Sequence, residues 1–181
     1  MSHHMPPTSE VLEKARSVKL LLLDVDGVLT EGGLLYSDQG EQIKTFNTLD
    51  GHGLKLLQAH GINVAIISGR DSQALRTRLS DLGINHVFAG VHDKKMAANE
   101  LLASLGLQWS QVAAMGDDWP DLAMLMPAGF SAAPPDAHTE ILSRVDWVSR
   151  RAAGHGAVRD LCDLLLRARG VYESALQKAL Q

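Results

Sequence analysis

Short apolar runs alternate with amphipathic stretches along most of this chain. Val18–Asp24, Asn63–Ser68, His86–Ala89 and Gln111–Gly116 read as strands, with shorter ones at Gly129–Ala132 and Asp146–Val148. Between them, apolar positions recur at helical spacing. Leu54, Leu57 and His60 mark one face, Leu75, Leu79 and Leu82 a second, and Ala97, Leu101 and Leu105 a third. Gly61, Gly83 and Gly106 each follow a helical run, where a left-handed C-terminal cap belongs. Strand–helix alternation at this interval predicts an α/β fold with a mostly parallel sheet flanked by helices.

One segment breaks the rhythm. Leu34-Leu35-Tyr36, the turn Ser37-Asp38-Gln39-Gly40 and then Glu41–Phe46 predict a β-hairpin over about 33–47. A ribbon this short is barely stable alone, so it packs on its own domain or on a neighbouring subunit. Near the end, Ala157–Arg169 reads as an amphipathic helix. It is preceded by Arg151-Ala152-Ala153-Gly154-His155-Gly156, a loop whose glycines suggest freedom to move. Residues 10–170 then form one domain, with a tail at 171–181. The N-terminal stretch 1–9 lies outside it, and Met1-Ser2-His3-His4-Met5 reads as disordered or as an expression remnant.

Composition narrows the function. The chain has 181 residues, 45% of them hydrophobic, enough for one domain with a real core. A net charge of −4 and the lack of any Lys/Arg-rich run disfavour nucleic acid and anionic membrane. No apolar stretch approaches the ~20 residues of a membrane span. Cys162 is the single cysteine, so no internal disulfide can form and a cytoplasmic protein is expected. Lying between Leu161 and Leu164, it reads as a small core residue.

The chemistry gathers where strands end. Asp24-Val25-Asp26-Gly27-Val28-Leu29-Thr30 follows the run Leu20–Leu23 directly. An unpaired carboxylate is costly to bury, so the chain must leave the sheet here. The acids then sit at the C-terminal edge of the strand, where open α/β sheets bind ligands. Two carboxylates held together need a cation, and a hard, oxygen-preferring one such as Mg²⁺ suits them, although a structural turn also explains the pair.

Three further strand ends carry polar groups. Ser68-Gly69-Arg70, with Asp71 as a helix N-cap, offers a hydroxyl, an amide and a helix N-terminus to a phosphate, though an ordinary capped turn explains it at least as well alone. Lys94 and Lys95 begin a helix, where the dipole opposes cations, so a nearby anion or simple solvation is required. Gly116-Asp117-Asp118, with Asp121 one turn later, resembles a second metal-ligand group. The conjunction is stronger than its parts. One sheet edge would collect carboxylates, a hydroxyl, amides and a lysine, a set suited to hydrolysing a phosphate ester.

In that order, Asp-x-Asp, Ser, Lys and an acid pair resemble the haloacid dehalogenase-like phosphohydrolase superfamily, whose Rossmann-like fold is HAD-like. Leu20–Thr30, the hairpin, Lys44-Thr45-Phe46 through Asp50-Gly51-His52-Gly53, Gly116-Asp117-Asp118 and Gly154-His155-Gly156-Ala157-Val158-Arg159 are similar to one nearly capless branch. That branch is the 3-deoxy-D-manno-octulosonate 8-phosphate (KDO 8-phosphate) phosphatases, in which a small hairpin takes the place of a cap domain. The likeness covers about residues 10–170. It implies a homotetramer joined through the hairpins, in which neighbours help close each site.

The resemblance also implies roles. Asp24 is the nucleophile that forms an aspartyl-phosphate, and Asp26 the general acid and base. Mg²⁺ is held by the side chains of Asp24 and Asp117 and the backbone carbonyl of Asp26. Ser68 and the Gly69 amide bind phosphoryl oxygens, and Lys94 rather than Lys95 neutralises charge. Asp118 and Asp121 support the metal or the lysine from behind. The substrate is a small phosphorylated sugar acid, so an arginine should meet its carboxylate. Arg70 is the first candidate, Arg159 or Arg151 the second, and a surface ion pair explains each equally. Asp50 and His52 either bound the sugar pocket or shape a loop. Rival readings are a nucleotidase or broad sugar-phosphate phosphatase, a mainly oligomerising relative, and a phospho-accepting receiver that Asp26–Thr30 and the hairpin do not fit.

Overall fold

The computed structural model describes residues 7–180. A six-stranded parallel sheet forms its centre. The strands are β1 (Leu20–Leu23), β4 (Asn63–Ser68), β5 (His86–Ala89), β6 (Val112–Met115), β7 (Phe130–Ala133) and β8 (Trp147–Val148), in spatial order β5-β4-β1-β6-β7-β8. The remaining two strands, β2 (Leu35–Ser37) and β3 (Gly40–Ile43), make the separate antiparallel hairpin.

β1 shows how the pattern becomes a layer. All four leucines are fully buried, because successive side chains point to opposite sides of a sheet covered on both. Leu21 and Leu23 enter one core with Leu54 and Leu57 of α2 (Thr48–Ala59), Leu75 and Leu79 of α3 (Gln73–Asp81) and Leu161 and Leu165 of α7 (Ala157–Ala168). Leu20 and Leu22 enter the other with Ala97 and Leu101 of α4 (Lys94–Leu105), Leu125 of α5 (Leu122–Leu125) and Ile141 of α6 (Thr139–Leu142). Each buried leucine contributes roughly 1.5–3 kcal/mol. Cys162 is wholly buried in the first core. Gly61, Gly83 and Gly106 take the left-handed φ that ends a helix.

The register aligns the chemistry. Leu23 pairs with Ile66 of β4 on one side and Met115 of β6 on the other. Asp24, Ser68 and Asp117 therefore emerge at one edge, one or two residues beyond that level. The chain leaves β1 toward β4 and β5, then returns to β6 on the opposite flank, so this edge holds the topological switch point.

Several expectations change. Residues 1–6 lie outside the described residues, but Ser9 already opens a helix, α1 (Ser9–Ala15), capped by the Thr8 hydroxyl. The 171–181 segment is not a bare tail: α8 (Tyr172–Ala179) packs on α7, with Arg167 over the Tyr172 ring. The N-cap of α3 is Ser72 rather than Asp71, whose carboxylate is taken by Arg76. His60 is half-buried at the end of α2, its ring bonded to the Leu56 carbonyl. The loop before α7 is tethered, since Gly154 donates to the Val28 carbonyl and accepts from Asn47. None of the described helices is long and apolar enough to cross a membrane.

Candidate active site

A lysine ties the two acid groups together. Lys94, the first residue of α4, is buried and places its ammonium 2.7 Å from Asp24 Oδ1 and 2.6 Å from Asp121 Oδ1. Its backbone is held by the Asp93 cap, whose carboxylate accepts from the Met96 amide. Lys95, one position on, is exposed. The helical turn thus sends one lysine inward and the next to solvent.

Asp121 is the hub of the second acid group. Its other oxygen, Oδ2, accepts from the amides of Asp117 and Asp118 at 2.9 and 3.3 Å, while Asp118 itself is exposed. This turn leaves the Asp117 carboxylate free to face Asp24. One carboxylate oxygen from each of Asp24, Asp117 and Asp121 lies within 4.8 Å of the others. Gly27 makes the approach possible. Its φ of +89° suits glycine, and a Cβ there would meet Asp117 Oδ2 at 2.2 Å.

Three clustered carboxylates with one ammonium carry excess negative charge. Burial, with Asp121 close by, pushes Asp24 up to about 6 despite the counter-pull of Lys94. Burial and the charges of Asp121, Asp24 and Asp118 push Asp117 up to about 8. Lys94 is lowered by burial, but Asp121 and Asp24 outweigh that and raise it, so it remains an ammonium. This donor set of hard oxygens with uncompensated charge fits a divalent cation such as Mg²⁺.

The remaining expected residues divide. The buried Ser68 hydroxyl accepts from the Arg70 amide at 3.2 Å, which fixes the turn at the end of β4, and Gly69 is exposed beside it. Arg70 is exposed and bridges the acid loop and the hairpin, 3.8 Å from Asp26 Oδ2 and 3.1 Å from the Tyr36 hydroxyl. By contrast, Arg151 and Arg159 line a different cavity with Trp147 and Tyr172, and Arg159 is bound to Asp163 at 2.7 Å.

Asp50 is placed elsewhere. Fully buried in α2, it accepts from the Arg159 amide at 2.7 Å and so caps the start of α7 from another helix, instead of bounding a sugar pocket. Burial pushes its pKa up against the amides of Arg159 and Gly156, the Arg151 charge and the Val158 amide. His52 lies on the exposed face of α2, with no hydrogen bond to the acid cluster among the described residues.

Lys44 stands in the sequence only within the stretch similar to the phosphatase branch, with no partner implied for it. This residue follows β3, and its ammonium donates to Asp26 Oδ1 at 2.5 Å and also to Glu41. Burial lowers its pKa, but those two bonds more than reverse the effect. The one available signal was a lysine at the hairpin base, a position usually solvated.

The region 85–161 matches the family described as haloacid dehalogenase-like hydrolase. The 3-deoxy-D-manno-octulosonate 8-phosphate phosphatase KdsC of Yersinia pestis is 42% identical over 170 residues, 94% of this chain and 91% of that protein. This chain belongs to the KDO 8-phosphate phosphatase family. The Yersinia pestis crystal structure superposes with a TM-score of 0.90 over 93% of this chain and 91% of the other. A Moraxella catarrhalis family member, crystallised with a magnesium ion, a phosphate ion and a KDO molecule, gives a TM-score of 0.91 at 36% identity over 95% and 99%. The cobalt-bound Haemophilus influenzae phosphatase gives 0.89 at 40% identity over 93% and 99%. Family membership thus rests on nearly the full chain.

Proposed function

We propose that this protein is a Mg²⁺-dependent phosphomonoesterase that hydrolyses KDO 8-phosphate to KDO and phosphate through an aspartyl-phosphate on Asp24. The observation that carries the reading is the Asp24–Lys94–Asp121 chain at the sheet edge, with Asp117 facing it. A carboxylate, an ammonium beside it and a group of oxygens close enough to share one cation support that reading.

Asp24, Asp117 and the Asp26 carbonyl would hold the metal. Bound there, Mg²⁺ supplies positive charge that offsets the repulsion between carboxylate and phosphate. Asp24 forms a bond to phosphorus while the ester oxygen leaves with a proton from Asp26. A water molecule then loses its proton to Asp26, bonds to phosphorus and frees Asp24. Ser68 and the Gly69 amide hold phosphoryl oxygens, and Lys94 stabilises their charge as they pass through a loose transition state. Asp121 and Asp118 orient that machinery from behind.

The substrate assignment draws on the family and on the KDO-bound Moraxella catarrhalis relative. Arg70, exposed beside Asp26, is suited to the sugar-acid carboxylate because its planar fork binds such groups in two places. The hairpin leaves Leu35, Tyr36 and Ile43 more than half exposed, a surface suited to joining subunits into a homotetramer. A cytoplasmic role in building the lipopolysaccharide inner core of a Gram-negative bacterium follows from the same reading.

The deciding experiment compares phosphate release from KDO 8-phosphate, other sugar phosphates, nucleotides and an aryl phosphate. KDO 8-phosphate is expected to give the highest kcat/KM. A preference for nucleotides would overturn the substrate while leaving the phosphatase chemistry in place.

A further inference from the structure

Lys44 is a poor fit for an ordinary hairpin lysine. Its side chain is 2% exposed, although lysines normally extend their charge to water. A buried ammonium persists where carboxylates pair with it. Glu41, three residues earlier and itself nearly buried, already supplies one. Yet Lys44 makes a second bond, 2.5 Å long, to a carboxylate 18 positions away in the loop after β1.

That second partner is Asp26. It is the least enclosed acid of the Asp24–Asp26 pair, so its side chain has more freedom to turn than Asp24 has. Lys44 takes Oδ1. Arg70, itself exposed, faces Oδ2 from 3.8 Å. With one oxygen pinned, the other is directed toward that exposed side. A proton donor must lie within hydrogen-bond reach of the leaving oxygen, and loss of a fixed orientation is costly in rate. Two acids and two cations, Asp26, Glu41, Lys44 and Arg70, balance one another here.

We infer that Lys44 is a positioning residue: held by Glu41 on the hairpin, it fixes the Asp26 carboxyl so that Oδ2 meets the leaving oxygen of the substrate. The hairpin therefore delivers a catalytic support to its own subunit, in addition to any part in assembly. The inference rests on the phosphatase reading above and deepens it.

The test uses the dependence on leaving group. An alkyl phosphate such as KDO 8-phosphate needs a proton on its departing oxygen, whereas 4-nitrophenyl phosphate departs without one. In the full-length protein, Lys44→Met/Glu41→Gln removes the bond without stranding a buried charge. Its kcat on KDO 8-phosphate is expected to fall roughly 10- to 100-fold, part of the 10²- to 10⁴-fold that acid–base catalysis supplies. The alkyl-to-aryl ratio of kcat/KM, which reports only the steps through departure of the leaving group, should drop at least about tenfold, from the same range. Lys44→Arg should recover most of the ratio. Should the double variant fail to fold, Lys44→Met alone, which likewise removes the donor, gives the same comparison.

Equal losses of kcat/KM on both substrates would assign Lys44 to folding alone and overturn the inference. So would unchanged turnover of the alkyl ester. Absence of wild-type turnover on KDO 8-phosphate would overturn the functional reading itself, and the two failures are distinguished by that control.

Discussion

The Lys94 ammonium lies 2.7 Å from Asp24 Oδ1 although the two residues are 70 positions apart in the chain. The pair joins the end of β1 to the start of α4, and Asp121 completes it from the turn after β6. One cation thus serves two buried carboxylates from different segments. Removing it leaves both without a counter-ion.

Lys94→Met should therefore be costly twice. Breaking a buried pair by removing one partner costs about 3–5 kcal/mol, which for a domain this size is a Tm drop of roughly 6–20 °C. Turnover should fall at least about 10²-fold, as when one stabilising donor is removed from an active site. Lys95→Met, at an exposed position, should leave both within error. Thermal melts and phosphate-release assays on the two variants check this contrast.

Asp24→Asn keeps the shape of the side chain and removes the nucleophile. Phosphate release is expected to fall by at least about 10³-fold, with folding retained. Trapping of a phosphorylated protein in the wild type, and its loss in the variant, provides the second measurement. Normal turnover by Asp24→Asn would exclude a covalent intermediate on this residue.

The acid cluster sets a pH dependence in the metal-free protein. Asp24 and Asp117 rise from an ordinary value of 3.8 to about 6 and about 8 on folding. Between these limits the folded chain binds more protons than the unfolded one, so stability falls as pH rises. In chelator, Tm should decline across about pH 4 to 8, the window those values define. Mg²⁺ should raise Tm more at pH 8 than at pH 5, because protons compete with it for the same oxygens. Differential scanning fluorimetry with EDTA and with Mg²⁺ measures both slopes. A flat profile in EDTA would contradict the crowding of these carboxylates.

Asp50→Ala tests a residue that the resemblance leaves between bounding the sugar pocket and shaping a loop, and that the structure puts under α7. Loss of a cap costs about 0.5–2 kcal/mol, so Tm should fall by roughly 1–8 °C. KM for the sugar phosphate should stay close to wild type. A large KM increase with unchanged Tm would return Asp50 to the pocket.

The hairpin surface offers a test of assembly. Placing a charge at two exposed apolar positions, Leu35→Asp with Ile43→Glu, should dissociate a homotetramer without unfolding the core, since neither side chain enters it. Sedimentation velocity would show the change in mass. Wild-type protein sedimenting as a monomer would remove the proposed assembly.

The sequence by itself determined the sheet, its flanking helices and the strand ends that bear chemistry. Those follow from local physics: runs such as Leu20–Leu23 can only be covered on both faces, and Asp24 cannot continue into the core. The Asp24, Asp26, Ser68 and Asp117 positions stand out because each ends or closely follows such a run, whereas Lys94 stands out as a cation at a helix start and is preferred over Lys95 only by the resemblance. Only the tertiary structure decided which polar groups meet. Asp50 and Asp26 look alike in the chain, yet one receives α7 amides and the other a hairpin ammonium. Lys44 and Lys95 look alike too, and only one is buried. Spacing along the chain fixes the face on which a side chain lies. Which distant segment packs against that face depends on how helices and hairpin settle on the sheet, and that packing selects the partner for each charge.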